Sequence, residues 1–400
     1  MPVLKSLGRS LKQGAEVLNA NKATSAYVSL SLASVYQIVT FHSFISQAIG
    51  SEYYYTFLSA LFLVSMLSMF LGAVAREKIQ KEIHLIWNFL GVLFAASILL
   101  RLEGMPGLIV YSILGGVAAG LCIPDVVCHL FEITNFENRG AVSGLFIFSI
   151  YVIIFFSSTI ISSVNDLAIF ILILKSISML LASKRRFQKV KIEEPAFVKH
   201  PLRVPLLYMF VWFIFLLVDV IVTNMALQKL TQSEIFVIQL ESVLLGLTAM
   251  VIGGALADNI GRRKLIIFAY LYLGIEYSFV SLSSGELIRY TFIDGIAWGI
   301  LSALFLLVIW GDIGSIRARP IYAASALTIG IASIYFKNLV PALCLHYDLT
   351  QAFPLTSIFL FLSVVITAFI LPETLPEKII QSRELRDYIE TAKKIREKFA

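Results

Sequence analysis

The chain has 400 residues, 58% of them hydrophobic and 14% charged, and carries a formal net charge of +6. Soluble domains hold roughly 25% charged residues, so this composition excludes an ordinary water-soluble enzyme and indicates an all-α membrane protein. The basic excess calls for no nucleic-acid partner, because an anionic membrane surface accounts for it.

Taken in order, residues 1–25 place Leu4, Leu7, Leu11, Ala15 and Leu18 on one helical face, which predicts an amphipathic surface helix. Lys5, Arg9, Lys12 and Lys22 interrupt this segment, so it does not read as a cleavable signal, and the first span serves as insertion signal. Apolar runs of about 20 residues, the length that crosses a bilayer core, predict spans at 26–49, 55–75, 85–100, 108–131, 141–163 and 167–183. Six more follow at 204–227, 235–257, 265–282, 290–310, 321–343 and 353–371. The polar stretch 184–203 is the linker between an N-terminal bundle (26–183) and a C-terminal bundle (204–371). A second amphipathic helix is expected in the tail, 372–400, on Leu385, Tyr388, Ile389, Ala392, Ile395 and Phe399. Both terminal helices are expected to dock. Cys122, Cys128 and Cys344 are read as packing residues, since they have no metal-type spacing.

Lysines and arginines alternate sharply in density between successive loops. Of the 32, 27 fall on the side shared by both termini, three (Arg101, Lys229, Arg289) on the other, and Lys175 and Lys337 within spans. By the positive-inside rule both termini are cytoplasmic, and the chain is a multi-pass protein of the cytoplasmic membrane.

Two motifs recur between the halves. "GAVAREKIQK" after span 2 corresponds to "GALADNIGRRK" after span 8. "FEITNFENRGA" after span 4 corresponds to "WGDIGSIRARP" after span 10, with Glu132 and Arg139 shifted by 180 onto Asp312 and Arg319. Correspondence at nearly one offset argues for duplication of a six-helix unit. Gly254, Asp258, Gly261, Arg262 and Arg263 resemble the loop motif of the major facilitator superfamily. The paired acid-to-arginine motifs and "PETLPE" after the last span resemble its sugar porter branch. Asn259 stands where a base is usual. The first-half copy has Arg76 and Ile79 in place of Asp and Gly, the linker lacks a Pro-Glu-Ser sequence, and span 7 has no Gln-Gln pair. The resemblance implies twelve helices in two pseudo-repeated bundles. It also implies that the motif at 254–263 acts as a gate joining the bundles on the cytoplasmic side. Asp258 has the chemistry for this, accepting hydrogen bonds from a helix N-terminus or an arginine. Glu132, Arg139, Asp312 and Arg319 are expected to form an interface charge network, and no gating role is carried onto Arg76.

Ionisable residues inside spans are costly and mark a transport path. They are His42, Asp125, Lys175, Asp219, Glu241, Glu276, Asp294 and Lys337. The implied fold lines its cavity with spans 1, 4, 7 and 10, which selects Asp219 as first and Asp125 as second candidate for proton coupling. Pro124 beside Asp125 loosens the local helix. Tyr36, Gln37, His42, Asn224, Asp294 and Trp298 are the substrate-cavity candidates. Lys175 has no partner to name, and Lys337 pairs with Glu241 or Asp294 if with any.

The expected function is a secondary active transporter that moves a small polar, sugar-like solute by alternating access, in symport with a proton or other coupling ion. The alternative is a proton-driven antiporter exporting amphipathic or cationic compounds, and a transport-dead sensor stands third. No phosphate loop, metal cluster or nucleophile-base pair is legible. The expected partners are therefore lipid, solute and ion, with no cofactor, no enzymatic activity and a monomeric state.

Overall fold

The structure is a computed structural model that describes residues 2–46, 51–76, 81–102, 104–184, 200–227, 231–282, 287–315, 317–343 and 349–399. Most of the linker, including 185–199, lies outside the described residues. A helix opens the chain, α1 (Pro2–Ala20). The N-terminal half continues with α2 (Lys22–Ile45), α3 (Ser51–Ala75), α4 (Lys81–Leu99), α5 (Gly104–Gly120), α6 (Ile123–Ile133), α7 (Arg139–Ile160) and α8 (Val164–Lys184). The C-terminal half holds α9 (Arg203–Leu227), α10 (Gln232–Ile260), α11 (Arg262–Leu282), α12 (Leu287–Ala303), α13 (Ile309–Ile313), α14 (Arg319–Leu343) and α15 (Leu349–Phe369), and α16 (Glu377–Phe399) closes the chain.

Every predicted span is a helix, and two of them are interrupted. Span 4 divides into α5 and α6 at Leu121 and Cys122, where Pro124 in the first turn of α6 has no amide to donate backward. Asp125 therefore stands at the N-terminal end of a half-helix. Span 10 runs through α12, a π-helical turn over Leu304–Val308 and α13. Widening the turn lets the Phe305 carbonyl accept from the Trp310 indole.

The long helices are apolar on both faces, as lipid-facing helices must be. Leu63, Leu67, Leu71 and Val74 form an exposed stripe along α3, and Phe268, Leu271, Ile275 and Phe279 do so on α11. Among the described residues, eight helical segments are long and apolar enough to cross a membrane, α5 and α6 counting as one, with shorter apolar ones beside them. Packing inward rests on aromatic and branched side chains. Trp212, for example, stacks between Phe215 and Phe305 with ring centroids 5.6 and 5.1 Å away.

The halves meet along two seams, α3 with α14 and α7 with α10. On the first, Tyr335 bonds Ser59 at 2.8 Å and stacks on Phe62. On the second, backbones touch. A Cβ added to Gly254 would run into the Gly140 carbonyl and come within 3.1 Å of Gly144 Cα. Small residues are what permit helices to approach this closely in lipid.

The terminal helices differ from one another. α1 lies across α7 and α10, with Gly14 against Ala141 and Leu145 and with Ser10 bonded to Asn259. α16 forms where the tail helix is expected, but the bundles do not cover its apolar face. Leu385, Tyr388, Ile389 and Ile395 are all exposed, and α16 meets the end of α10.

Candidate functional site

The face of the molecule that carries α1 and the turn after α15 concentrates the buried charge. At its centre is Asp258, one turn from the end of α10 and fully buried. Its two carboxylate oxygens accept from the backbone N–H groups of Gly140 and Ala141, each at 2.8 Å, and it pairs with Arg262 at 2.9 Å. Gly140 and Ala141 occupy the second and third positions of α7, where amides lack an intrahelical acceptor. The local cap residue, Asn138, makes no side-chain bond to them. The cap for this helix of the first half is thus a carboxylate from the second, placed where it also meets the positive end of the helix dipole.

Arg262 follows Gly261, whose φ of +101° is the left-handed turn that separates α10 from α11. Its guanidinium is fully buried and spends its donors on Asp258, on Asp312 (3.1 Å), on the Ala257 carbonyl (2.9 Å) and on the Phe136 carbonyl of the other half (2.8 Å). Asp312 also takes Arg139 across the seam and the Thr374 hydroxyl at 3.1 Å. Arg139 is held further by Thr134 and by the rings of Phe131 and Phe136, whose centroids lie 5.8 and 5.2 Å away. Arg263 leaves the seam. Its guanidinium donates to the Thr367 and Ala368 carbonyls at the end of α15, a C-terminal cap inside the second half.

The paired acid-to-arginine motifs cross over at one acid only. Asp312 bonds Arg139 of the other motif. Glu132 bonds Arg76 at 2.5 Å and His129 at 2.9 Å, within its own half. Arg76, given no role from sequence, also pairs with Asp125. Burial pulls the Arg76 guanidinium down, yet the carboxylates of Asp125 and Glu132 outweigh that and hold it above its ordinary value. Another residue missed from sequence is Glu373. It accepts the backbone N–H groups of Arg262 (2.9 Å) and Arg263 (3.1 Å), capping α11 as Asp258 caps α7. The signal was the "PETLPE" turn, noted as a family mark without a physical role. Asn259, the departure from the loop motif, bonds Ser10 of α1 and the Ala255 carbonyl.

The span residues scatter. Asp125 is buried with His84 at 2.6 Å, His129 at 3.5 Å and Arg76, near the same face as Asp258 but inside the N-terminal half. His84 and His129 were not singled out from sequence, although His129 follows Asp125 by four residues on one helical face. His42 is buried and bonds the Tyr54 hydroxyl at 2.9 Å, and Gln37 donates to Ser157 at 2.7 Å. Tyr36 is 39% exposed. Trp298 crosses the α7 seam edge-on to Tyr151, centroids 6.0 Å apart. Asp294 neighbours the buried Glu276 of α11. Lys175 finds partners of an unexpected kind. Its ammonium sits 3.4 Å over the Trp87 ring and donates to the Ala118 carbonyl at 3.2 Å, fully buried. The side chains of Asp219, Asn224 and Lys337 lie outside the described residues, and Glu241 is half-buried.

A shallow recess opens beside the other seam, lined by His42, Phe62, Ser65, Ile334 and Tyr335 among others. It lies between residues of both halves. No family model matches the chain, and no curated protein matches it. Among solved structures, a double tryptophan mutant of XylE superposes with a TM-score of 0.67 at 13% identity, covering 93% of this chain and 99% of that one. XylE bound to 6-bromo-6-deoxy-D-glucose, described as a major facilitator superfamily proton:xylose symporter, superposes with a TM-score of 0.63 at 13% identity, covering 92% and 97%. The fold is therefore that of the major facilitator transporters, twelve helices in two six-helix bundles.

Proposed function

We propose that the chain is a secondary active transporter that moves a small polar, sugar-like solute across the cytoplasmic membrane by alternating access, in symport with protons. The observation that carries this is the construction of the Asp258 seam. Two halves that share a fold are joined at one face by a buried helix cap and by the Arg139, Asp312 and Arg262 pairs, side chains that both halves must supply. Such contacts have two discrete arrangements, made and broken, which alternating access requires. The face holding them is cytoplasmic on the distribution of lysine and arginine, so the arrangement described has its inward side closed. The solute passes between the halves near His42, Tyr36, Gln37 and Trp298, with Asn224 and Asp294 contributed by the second half. The working unit is a monomer.

Coupling is assigned to Asp219, in the second half of α9, where an ionised carboxylate is expensive and a reversibly bound proton relieves the cost. Asp125 is already ion-paired to Arg76, so the coupling assignment rests on Asp219. The test is uptake of labelled pentoses and hexoses into proteoliposomes under an imposed proton gradient. Accumulation that collapses with a protonophore supports symport. Gradient-driven dye efflux with no sugar uptake would replace it by the exporter reading. Asp219→Asn should abolish accumulation and leave solute exchange, and accumulation unchanged in this variant would remove the coupling assignment.

A further inference from the structure

The cluster around Asp125 has a feature that ion pairing alone does not explain. The Nε2 atoms of His84 and His129 both face one oxygen, Asp125 Oδ2, at 2.6 and 3.5 Å, and the three atoms lie within 4.8 Å of one another. Each imidazole has its other nitrogen engaged by an oxygen. Nδ1 of His84 is 2.6 Å from the Tyr27 hydroxyl, and Nδ1 of His129 is 2.9 Å from Glu132 Oε2. Glu132 is itself held by Arg76, which occupies the second oxygen of Asp125 and leaves Oδ2 to the histidines.

A carboxylate behind the distal nitrogen fixes a histidine tautomer with the proton on Nδ1 and the lone pair on Nε2. At His129 that arrangement turns a lone pair toward a carboxylate oxygen, which is repulsive unless a second proton or a metal ion stands between them. Asp125 and Glu132 share Arg76 as ion-pair partner in this buried pocket.

We infer that His84, Asp125 and His129 form a binding site for a divalent transition metal, with Zn²⁺ the best chemical fit. Two imidazoles and one carboxylate suit zinc, whereas magnesium and calcium prefer all-oxygen shells. Zinc at roughly 2.0–2.2 Å from tetrahedral ligands spaces them about 3.4 Å apart. The His129 to Asp125 distance already has that spacing, and His84 must retreat by less than about 1 Å to match it. When the metal displaces the proton from His84 Nε2, the proton moves to Nδ1, and the Tyr27 hydroxyl changes from donor to acceptor. No proton is released. Entry is from the side of Arg76 and Glu132, whose side chains keep 11% and 19% of their surface exposed. The ion would tie α4 to α6 within one half. The site does not depend on the transport reading.

The experiment uses the full-length chain in detergent, purified without a polyhistidine tag and stripped with chelator. Zn²⁺ is titrated by equilibrium dialysis with metal analysis, and Co²⁺ by visible absorbance. The expected result is one Zn²⁺ per chain, a tetrahedral Co²⁺ spectrum, and a zinc-dependent rise in melting temperature. His84→Ala and His129→Ala should lose the ion, while His42→Ala and His200→Ala keep it. Glu132→Gln, which removes only the support behind His129, should weaken affinity roughly 10–100-fold. Binding that persists in both ligand variants overturns the inference. If those variants do not fold, absence of a tetrahedral cobalt spectrum in the unaltered protein overturns it equally.

Discussion

Replacing Asp258 by Asn changes one oxygen to an NH₂ group and removes a charge, with little change in shape. The carboxylate accepts two backbone bonds and pairs with Arg262. The amide can satisfy one of the N–H groups of Gly140 and Ala141, but it confronts the other with a donor. A hydrogen bond to a charged group contributes about 1.5–3 kcal/mol, and a buried donor left unpaired costs about 1–3 kcal/mol. Losing one such bond and weakening the Arg262 pair amounts to about 3 kcal/mol, or roughly a 100-fold shift toward separation of α7 from α10. Hydrogen exchange followed by mass spectrometry on peptides covering 136–148 reads this directly. The amides of Gly140 and Ala141 have no acceptor within α7, so their protection reports on Asp258. Protection at these two should fall roughly 100-fold in Asp258→Asn, with the middle of α7 unchanged. Equal exchange in the two proteins, or no protection before substitution, would refute the capping argument.

Gly254→Val should overpack the same seam by about 1–3 kcal/mol. With Cys122, Cys128 and Cys344 changed to Ser, a cysteine placed at the buried Ser143 should then label faster with maleimide. Unchanged labelling would count against the close approach. Asp312→Asn leaves Arg139 and Arg262 buried without their shared carboxylate and should cost about 3–5 kcal/mol by thermal melting. Adding Arg139→Met should restore part of that loss, whereas strict additivity would show that the pair is not coupled. Lys175→Met removes a desolvated cation while retaining its length, so the melting temperature should hold or rise. A clear fall would show that the Trp87 face and the Ala118 carbonyl compensate the ammonium fully.

Spans were legible because lipid forces long apolar runs, and the basic loops marked their ends. The Asp258 contact was legible in kind, since a lone carboxylate beside Gly at a helix end has few uses other than capping. Its partner was not, because nothing local in "ENRGAVSG" says that Gly140 and Ala141 face the other half. The same reason hid the pairing of Arg139 with Asp312. Asp312 meets the arginine of the other repeat, whereas Glu132 stays within its own half on Arg76 and His129. Lys175 was opaque for a different reason. Its partners are a ring face and a carbonyl, and neither has a pairing signal in sequence as a carboxylate does. His84 and His129 were overlooked because they stand at span ends, where a polar residue reads as ordinary solvation. The Asp125 to His129 spacing was nevertheless visible.

The seat of α1 imposes an order on assembly. This helix precedes in the chain the elements it packs on, and its contacts include Ala141 and Leu145 of α7 and Asn259 at the end of α10. The last of these is some 250 residues away and exists only after the second half has begun to enter the membrane. Contacts so distant in sequence carry a large closure entropy and form late. α1 must therefore wait on the membrane surface, held by its own apolar face, and settle only once the two halves have met. A truncation that removes residues 2–20 should leave the insertion of each half intact and expose the groove between α7 and α10 that α1 fills. α1 thus acts as the closing piece of the fold.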